Sequence, residues 1–223
     1  MDTKMGIDYQ ELFLAFRRHA NEQNAREMSA YMRDLFPFLG IKKPERAALQ
    51  KDFLKAAKKA TSVDWAFVDE CWTLEREFQY LALDYLRVVQ PLLTPDDIPR
   101  LRTLAVTRSW WDSVDFIDSL VGDIALRFPE VNAIILQWST DENIWLRRIA
   151  IDHQLQRKTQ TDTALLEQVI VNNLGQKELF INKAIGWSLR EYSKIDRAWV
   201  SDFVERYRDQ LAPLSIREAS KYL

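Results

Sequence analysis

Apolar side chains recur every three to four positions along most of the chain, the spacing of helices with one buried face. Residues 8–20 and 25–36 read as the first two. Leu12, Phe13 and Phe16 mark the core side of one, and Tyr31, Met32, Leu35 and Phe36 that of the other. Pro37 and Gly40 interrupt the pattern. Pro44 then opens a third helix at the first-turn position that proline tolerates. It carries Arg46, Lys51, Lys55, Lys58 and Lys59, whose plainest reading is a solvated basic face. No run alternates apolar and polar residues between turn signals, so strands are not expected.

From residue 64 the pattern repeats as helix pairs: 64–72 with 75–89, 95–107 with 109–127, 129–138 with 141–157, 162–174 with 177–193, and 196–210 with 213–223. Prolines 95, 129 and 213 stand at or near helix starts. The second helices overlay. W-W-D-S-V-D from Trp110, W-L-R-R-I-A from Trp145, F-I-N-K-A-I from Phe180 and S-I-R-E-A-S from Ser215 share one register, about 35 residues apart, and E-F-Q-Y-L-A from Glu77 fits before them. A helix-pair period of this length is the mark of an α-solenoid. The Trp, Gly and Pro spacing of tetratricopeptide units is absent, which favours HEAT-like units. The expectation is an all-α chain, residues 1–223 forming a single HEAT-like repeat domain.

Composition narrows the function classes. With 47% hydrophobic residues the chain can bury a sizeable core, and 5 Gly and 7 Pro agree with an all-helical fold. No apolar stretch has the length of a membrane span, and M-D-T-K-M-G-I-D-Y lacks the regions of a secretion signal. Cys71 is the single cysteine, which suits a reducing cytoplasm. With His19 and His153 as the two histidines, a zinc site is not expected, nor any other metal or cofactor. The net charge of −2 does not favour nucleic acid, but charge can segregate. The second helices carry Arg147, Arg148, Lys183, Arg190, Arg217 and Lys221, while Asp96, Asp97, Glu130, Asp141, Asp162 and Asp196 fall on loops and first helices. If the second helices line the concave face, a basic groove results.

The stretch from Ser109 to Gly122 holds the strongest candidate chemistry. Ser109 with Asp112 has the spacing of a capping box, which starts a helix there. On that helix Trp111 and Asp115 share a face, and an indole beside a carboxylate suits a cationic group. Asp115 is anomalous, because its register position holds Ala82, Ala150 and Ile185 elsewhere. A carboxylate on an apolar surface needs a partner. It reads equally as a structural ion pair with Arg148 or as a functional group, and Asp118 is a rival near the same face. Trp111 occupies a position held by Leu146 and Ile181, so core packing is its default; Trp110 and Trp145 read as core. Trp187 lies between Lys183 and Arg190, an aromatic within a basic stripe, where stacking and packing are both open. Arg147 and Arg148 could bind phosphate or satisfy Asp115 or Asp152.

Several motifs together resemble the AlkD-like alkylpurine DNA glycosylases of the DNA alkylation repair family. They are A-Y-M-R-D-L-F-P-F-L-G-I around Tyr31, E-R-E-F-Q at 75–79, S-W-W-D-S-V-D at 109–115, D-E-N-I-W-L-R-R at 141–148, K-A-I-G-W-S-L-R-E-Y at 183–192 and L-A-P-L-S-I-R-E-A at 211–219. The resemblance implies a HEAT-like superhelix gripping duplex DNA in a concave basic groove and excising cationic N3- and N7-alkylated purines, working on the sugar without a base-flipping pocket. It implies Asp115 as the catalytic carboxylate, Trp111 and Trp187 as sugar-contacting tryptophans, and Arg148 beside them. The candidate DNA contacts are Arg148, Arg147, Lys183, Arg190 and Tyr31. The expected protein is a cytoplasmic monomer with no membrane partner. The alternative is a non-catalytic HEAT-like scaffold that binds DNA structures or a protein.

Overall fold

The computed structural model describes residues 9–223. The N-terminal stretch read above for a leader, residues 1–8, and the first position of the expected helix 8–20 lie outside it. Among the described residues there are thirteen α-helices and no strand. None is long and apolar enough to cross a membrane. The chain forms two compact units, Met1–Leu93 and Thr94–Leu223.

The first unit holds α1 (Tyr9–Arg18), α2 (Glu22–Tyr31), α3 (Lys43–Ala57), α4 (Trp65–Thr73) and α5 (Arg76–Val88). Phe13, Phe16, Phe53, Phe67, Phe78 and Tyr85 make its aromatic core. The second helix ends earlier than its apolar pattern suggests: Arg33 and Asp34 have positive φ, at 57° and 56°. That turn buries Met32 and Phe36 but leaves Tyr31 and Leu35 exposed, so the last two are not core. The basic third helix is likewise only partly solvated. Arg46 is buried, 4.0 Å from Asp84 and over the Tyr80 ring, whereas Lys51, Lys55, Lys58 and Lys59 are exposed.

Two of the motifs meet in this unit. The buried Glu77 carboxylate accepts from the backbone N–H groups of Leu39, Gly40 and Ile41 at 2.8–3.1 Å. Three donors that a buried loop would otherwise leave unpaired are thereby satisfied. Gly40 is required there: its φ is +90°, and a Cβ would lie 2.1 Å from the Asn21 carbonyl oxygen.

The second unit holds α6 (Ile98–Val106), α7 (Trp111–Arg127), α8 (Asn132–Trp138), α9 (Ile144–Asp152), α10 (Thr163–Val171), α11 (Leu179–Ser193), α12 (Arg197–Arg206) and α13 (Pro213–Ala219). The second helices of successive pairs pack in series, α7 on α9, α9 on α11 and α11 on α13, with α6, α8, α10 and α12 against them. The register seen in the sequence appears as contact. Trp110, Trp145 and Phe180 form one cluster with ring centroids 5.0–5.8 Å apart. Asp162 and Asp196 are N-caps, accepting from the backbone N–H of Leu165 and Trp199. These acids on the first helices therefore serve helix chemistry.

Two boundaries differ from the sequence reading. Ser109 does not cap α7; its hydroxyl donates to the Ala105 carbonyl oxygen at 2.7 Å. The N-cap is Trp110, in extended backbone with no side-chain cap bond, held by its ring packing. The ninth helix stops at Asp152 rather than near 157. Gln154 there bonds both the N–H and the carbonyl of Asp162, and Gln156 and Lys158 take positive φ.

The crossing of α7 and α9 depends on Gly122. A Cβ at this position would meet the His153 carbonyl oxygen at 2.0 Å, and the Gly122 carbonyl accepts from Arg157 Nη2 at 2.6 Å. Backbone cannot yield as a side chain can. Gly122→Ala is therefore expected to destabilise the second unit by about 3 kcal/mol, the upper end of the usual cost of overpacking. Denaturant unfolding measures this; an unchanged midpoint would refute the close crossing.

Candidate active site

Asp115, Arg148 and Trp187 come from three adjacent helices, α7, α9 and α11. Arg148 links them. Its Nε donates to Asp115 Oδ1 at 2.6 Å and its Nη2 to Asp115 Oδ2 at 2.8 Å, the fork-on-carboxylate geometry that a guanidinium allows. Nη1 donates to the Phe180 carbonyl oxygen at 2.6 Å, and the guanidinium carbon lies 5.1 Å from the Trp187 ring centre. The Arg148 side chain is only 1% exposed, while Asp115 keeps 23%. Trp111, in the first turn of α7, and Trp187 are both half-buried. The positions that match Asp115 and Trp111 in register, Ala150, Ile185, Leu146 and Ile181, are fully interior. The structure thus opens the surface where the sequence departs from its own repeat.

Beneath this pair lie two further carboxylates. Asp118 and Asp152 are buried, and one oxygen from each of Asp115, Asp118 and Asp152 falls within 4.8 Å of the others. Burial pushes Asp118 well above the usual carboxylate range, and Asp152 and Asp115 push it further. Burial lifts Asp152 to about 7, against the opposing pull of Arg148. Burial alone would weaken the guanidinium's charge, but Asp152, Asp115 and Asp118 more than offset it, and Arg148 ends above its ordinary value. Asp118, the rival on the Trp111 face, is thus an interior group and not a surface one.

The guanidinium of Arg148 stands against these groups, at hydrogen-bond range from Asp115 and 3.9 Å from Asp152.

The candidate DNA contacts fall into different settings. Arg148 has Nε, Nη1 and Nη2 all directed at protein oxygens. Arg190 pairs with Glu218 at 2.7 Å, and Lys221 takes the same Glu218 oxygen. Lys183 and Arg147 are half-buried and, among the described residues, in no ion pair; the Arg147 Nε is buried without a partner. Tyr31 lies in the first unit, 73% exposed. The sequence reading missed Ser188, whose hydroxyl lies 3.0 Å from Asp152 Oδ1 and 2.9 Å from the Ile151 carbonyl oxygen. A small polar residue on an apolar helix face was the signal that could have found it.

A family described as DNA alkylation repair enzyme matches residues 13–223 of the chain. Among solved structures, a protein described as a predicted DNA alkylation repair enzyme from Enterococcus faecalis superposes with a TM-score of 0.82. It is 35% identical, and the match covers 92% of this chain and 96% of that one. No curated protein matches the sequence.

Proposed function

The chain belongs to the DNA alkylation repair enzyme family, and from that premise we propose that it is a DNA N-glycosylase that removes cationic N3- and N7-alkylated purines from duplex DNA. The observation that carries the reading is the arrangement around Asp115: a part-exposed carboxylate held by two N–H donors of a buried arginine, with half-buried tryptophans at 111 and 187. An N-alkylated purine already bears positive charge and leaves without protonation by a general acid. Departure develops oxocarbenium-like charge on the deoxyribose. One carboxylate near that carbon stabilises the charge and orients the attacking water, so the second carboxyl group used by ordinary glycosidases is not needed.

Fixed groups of this kind contribute roughly 3–4 kcal/mol. Trp111 and Trp187 each add on the order of 0.5–2 kcal/mol by offering ring faces to the cationic sugar. Arg148 works through Asp115, fixing both oxygens, and not on a phosphate. Arg147, Lys183, Arg190 and Tyr31 hold the DNA backbone, with the second helices lining the contact surface. The protein acts on the sugar without flipping the base into a pocket, as a cytoplasmic monomer with no metal or cofactor.

The test is release of free methylated purine from methylated duplex DNA. Release supports the reading; binding without release leaves a DNA-binding scaffold. The same DNA reports the contacts. Lys183→Ala is expected to weaken binding alike on damaged and undamaged duplex. It should also flatten the dependence of log affinity on log salt by about 0.9 for one lost phosphate contact. A slope identical to wild type would remove Lys183 from the interface.

A further inference from the structure

Three carboxylates face one guanidinium, and two of the three are buried. Like charges this close in a dry interior cannot all be ionised. The hydrogen bonds around Ser188 point the same way by a separate route. Its single hydroxyl proton has two oxygens in range, the Ile151 carbonyl at 2.9 Å and Asp152 Oδ1 at 3.0 Å. A carbonyl only accepts, so one hydroxyl proton cannot serve it and an ionised Asp152 together. A proton on Asp152 completes the chain: Asp152 donates to Ser188, and Ser188 donates to Ile151. The other oxygen, Asp152 Oδ2, is buried with no hydrogen-bond partner, 3.9 Å from Arg148 Nη2.

We propose that Asp118 and Asp152 are positioning residues that are protonated beneath the site in its active form, so that the charge of Arg148 is committed to Asp115. The charged and titratable groups facing the pair are Asp115 from α7 and Arg148 from α9, with the Ser188 hydroxyl from α11. When Asp152 loses its proton, its free oxygen becomes an anion competing with Asp115 for Nη2 of Arg148. The fork loosens, and the carboxylate that faces the sugar loses its fixed orientation. Ser188 also lines a cavity of about 300 Å³ with Gln154, Leu155, Thr161 and Tyr192.

This inference rests on the glycosylase reading for its catalytic consequence but not for its protonation state, and the two are tested separately. Carbon-13 NMR of the aspartate carboxyl groups is expected to show one that titrates near neutrality, with the Asp152 midpoint of about 7, and that disappears in Asp152→Asn. The guanidinium nitrogen shifts of Arg148 should follow the same midpoint. If every aspartate titrates below about pH 5, within reach of the ordinary carboxylate value, the proposal is overturned whether or not any purine is released.

In the release assay, the wild-type rate is expected to fall about threefold or more between about pH 6 and about pH 8.5, a bracket around that midpoint. The side-chain amide introduced by Asp152→Asn offers an N–H to Ser188 and carries no charge, so in that variant the ratio of the two rates should move toward one. An unchanged ratio overturns the positioning role. Asp115→Asn, which removes the ionised carboxylate beside Asp152 and leaves Arg148 to face Asp152, should move the Asp152 midpoint downward. It provides a second test if Asp152→Asn fails to fold, and an unmoved midpoint there overturns the competition of the two groups for Arg148.

Discussion

Asp115→Asn is expected to lower release of methylated purine from duplex DNA by on the order of 10²–10³-fold, the loss seen when one preorganised electrostatic group is removed from a reaction centre. Binding to undamaged duplex should change little. The substitution keeps the shape but removes the negative charge, and it places an N–H₂ against a guanidinium that only donates. One of the two bonds from Arg148, at 2.6 and 2.8 Å, must therefore be lost. Asp115 is 23% exposed and Arg148 retains Asp152 nearby, so the fold should survive. Single-turnover release on methylated duplex, with binding measured in parallel, separates the outcomes. Equal release by wild type and variant would make Asp115 a structural partner of Arg148 and no more.

Arg148→Met should do more damage to the protein itself. Arg148 is the cation facing Asp115, Asp118 and Asp152, and it also satisfies the Phe180 carbonyl oxygen. Replacing it with an apolar chain of similar length leaves Asp115 without its cation and the Phe180 carbonyl oxygen without its donor, a change that costs about 3–5 kcal/mol. The loss should be partly recovered at acid pH. Asp118 and Asp152 have folded-state values raised above the unfolded one, so the folded state binds the extra protons. Their protonation favours folding fully below the unfolded value, and that contribution disappears as pH rises through the folded values. Denaturant unfolding of the variant at acid and neutral pH measures both effects. A variant as stable as wild type at neutral pH would mean that the three carboxylates do not depend on this charge.

The sequence reading matched the packing where the repeat could be compared with itself. Asp115 and Trp111 stood out because their register neighbours are Ala150, Ile185, Leu146 and Ile181, and those neighbours are interior. The same comparison placed Trp110, Trp145 and Phe180 together, and their rings touch. It failed where a local pattern competed with packing. Ser109 and Asp112 have the spacing of a cap, yet the Ser109 hydroxyl turns back to the preceding helix and Trp110 sets the chain's entry. Tyr31 and Leu35 continue an apolar period that the backbone abandons at Arg33 and Asp34, where φ becomes positive.

By itself the sequence determined the all-helical class, the succession of helices from residue 64 onward and the residues that break the repeat. Periodicity and register are properties of the chain taken locally, and helix geometry turns them directly into faces. Only the tertiary structure decided what charge each site residue meets. That Arg148 is buried and spent on Asp115, that Asp118 is interior, and that Asp152 and Ser188 lie behind the pair follow from the distances between α7, α9 and α11. Electrostatic energies depend on separation and burial, and neither is written in the order of the residues.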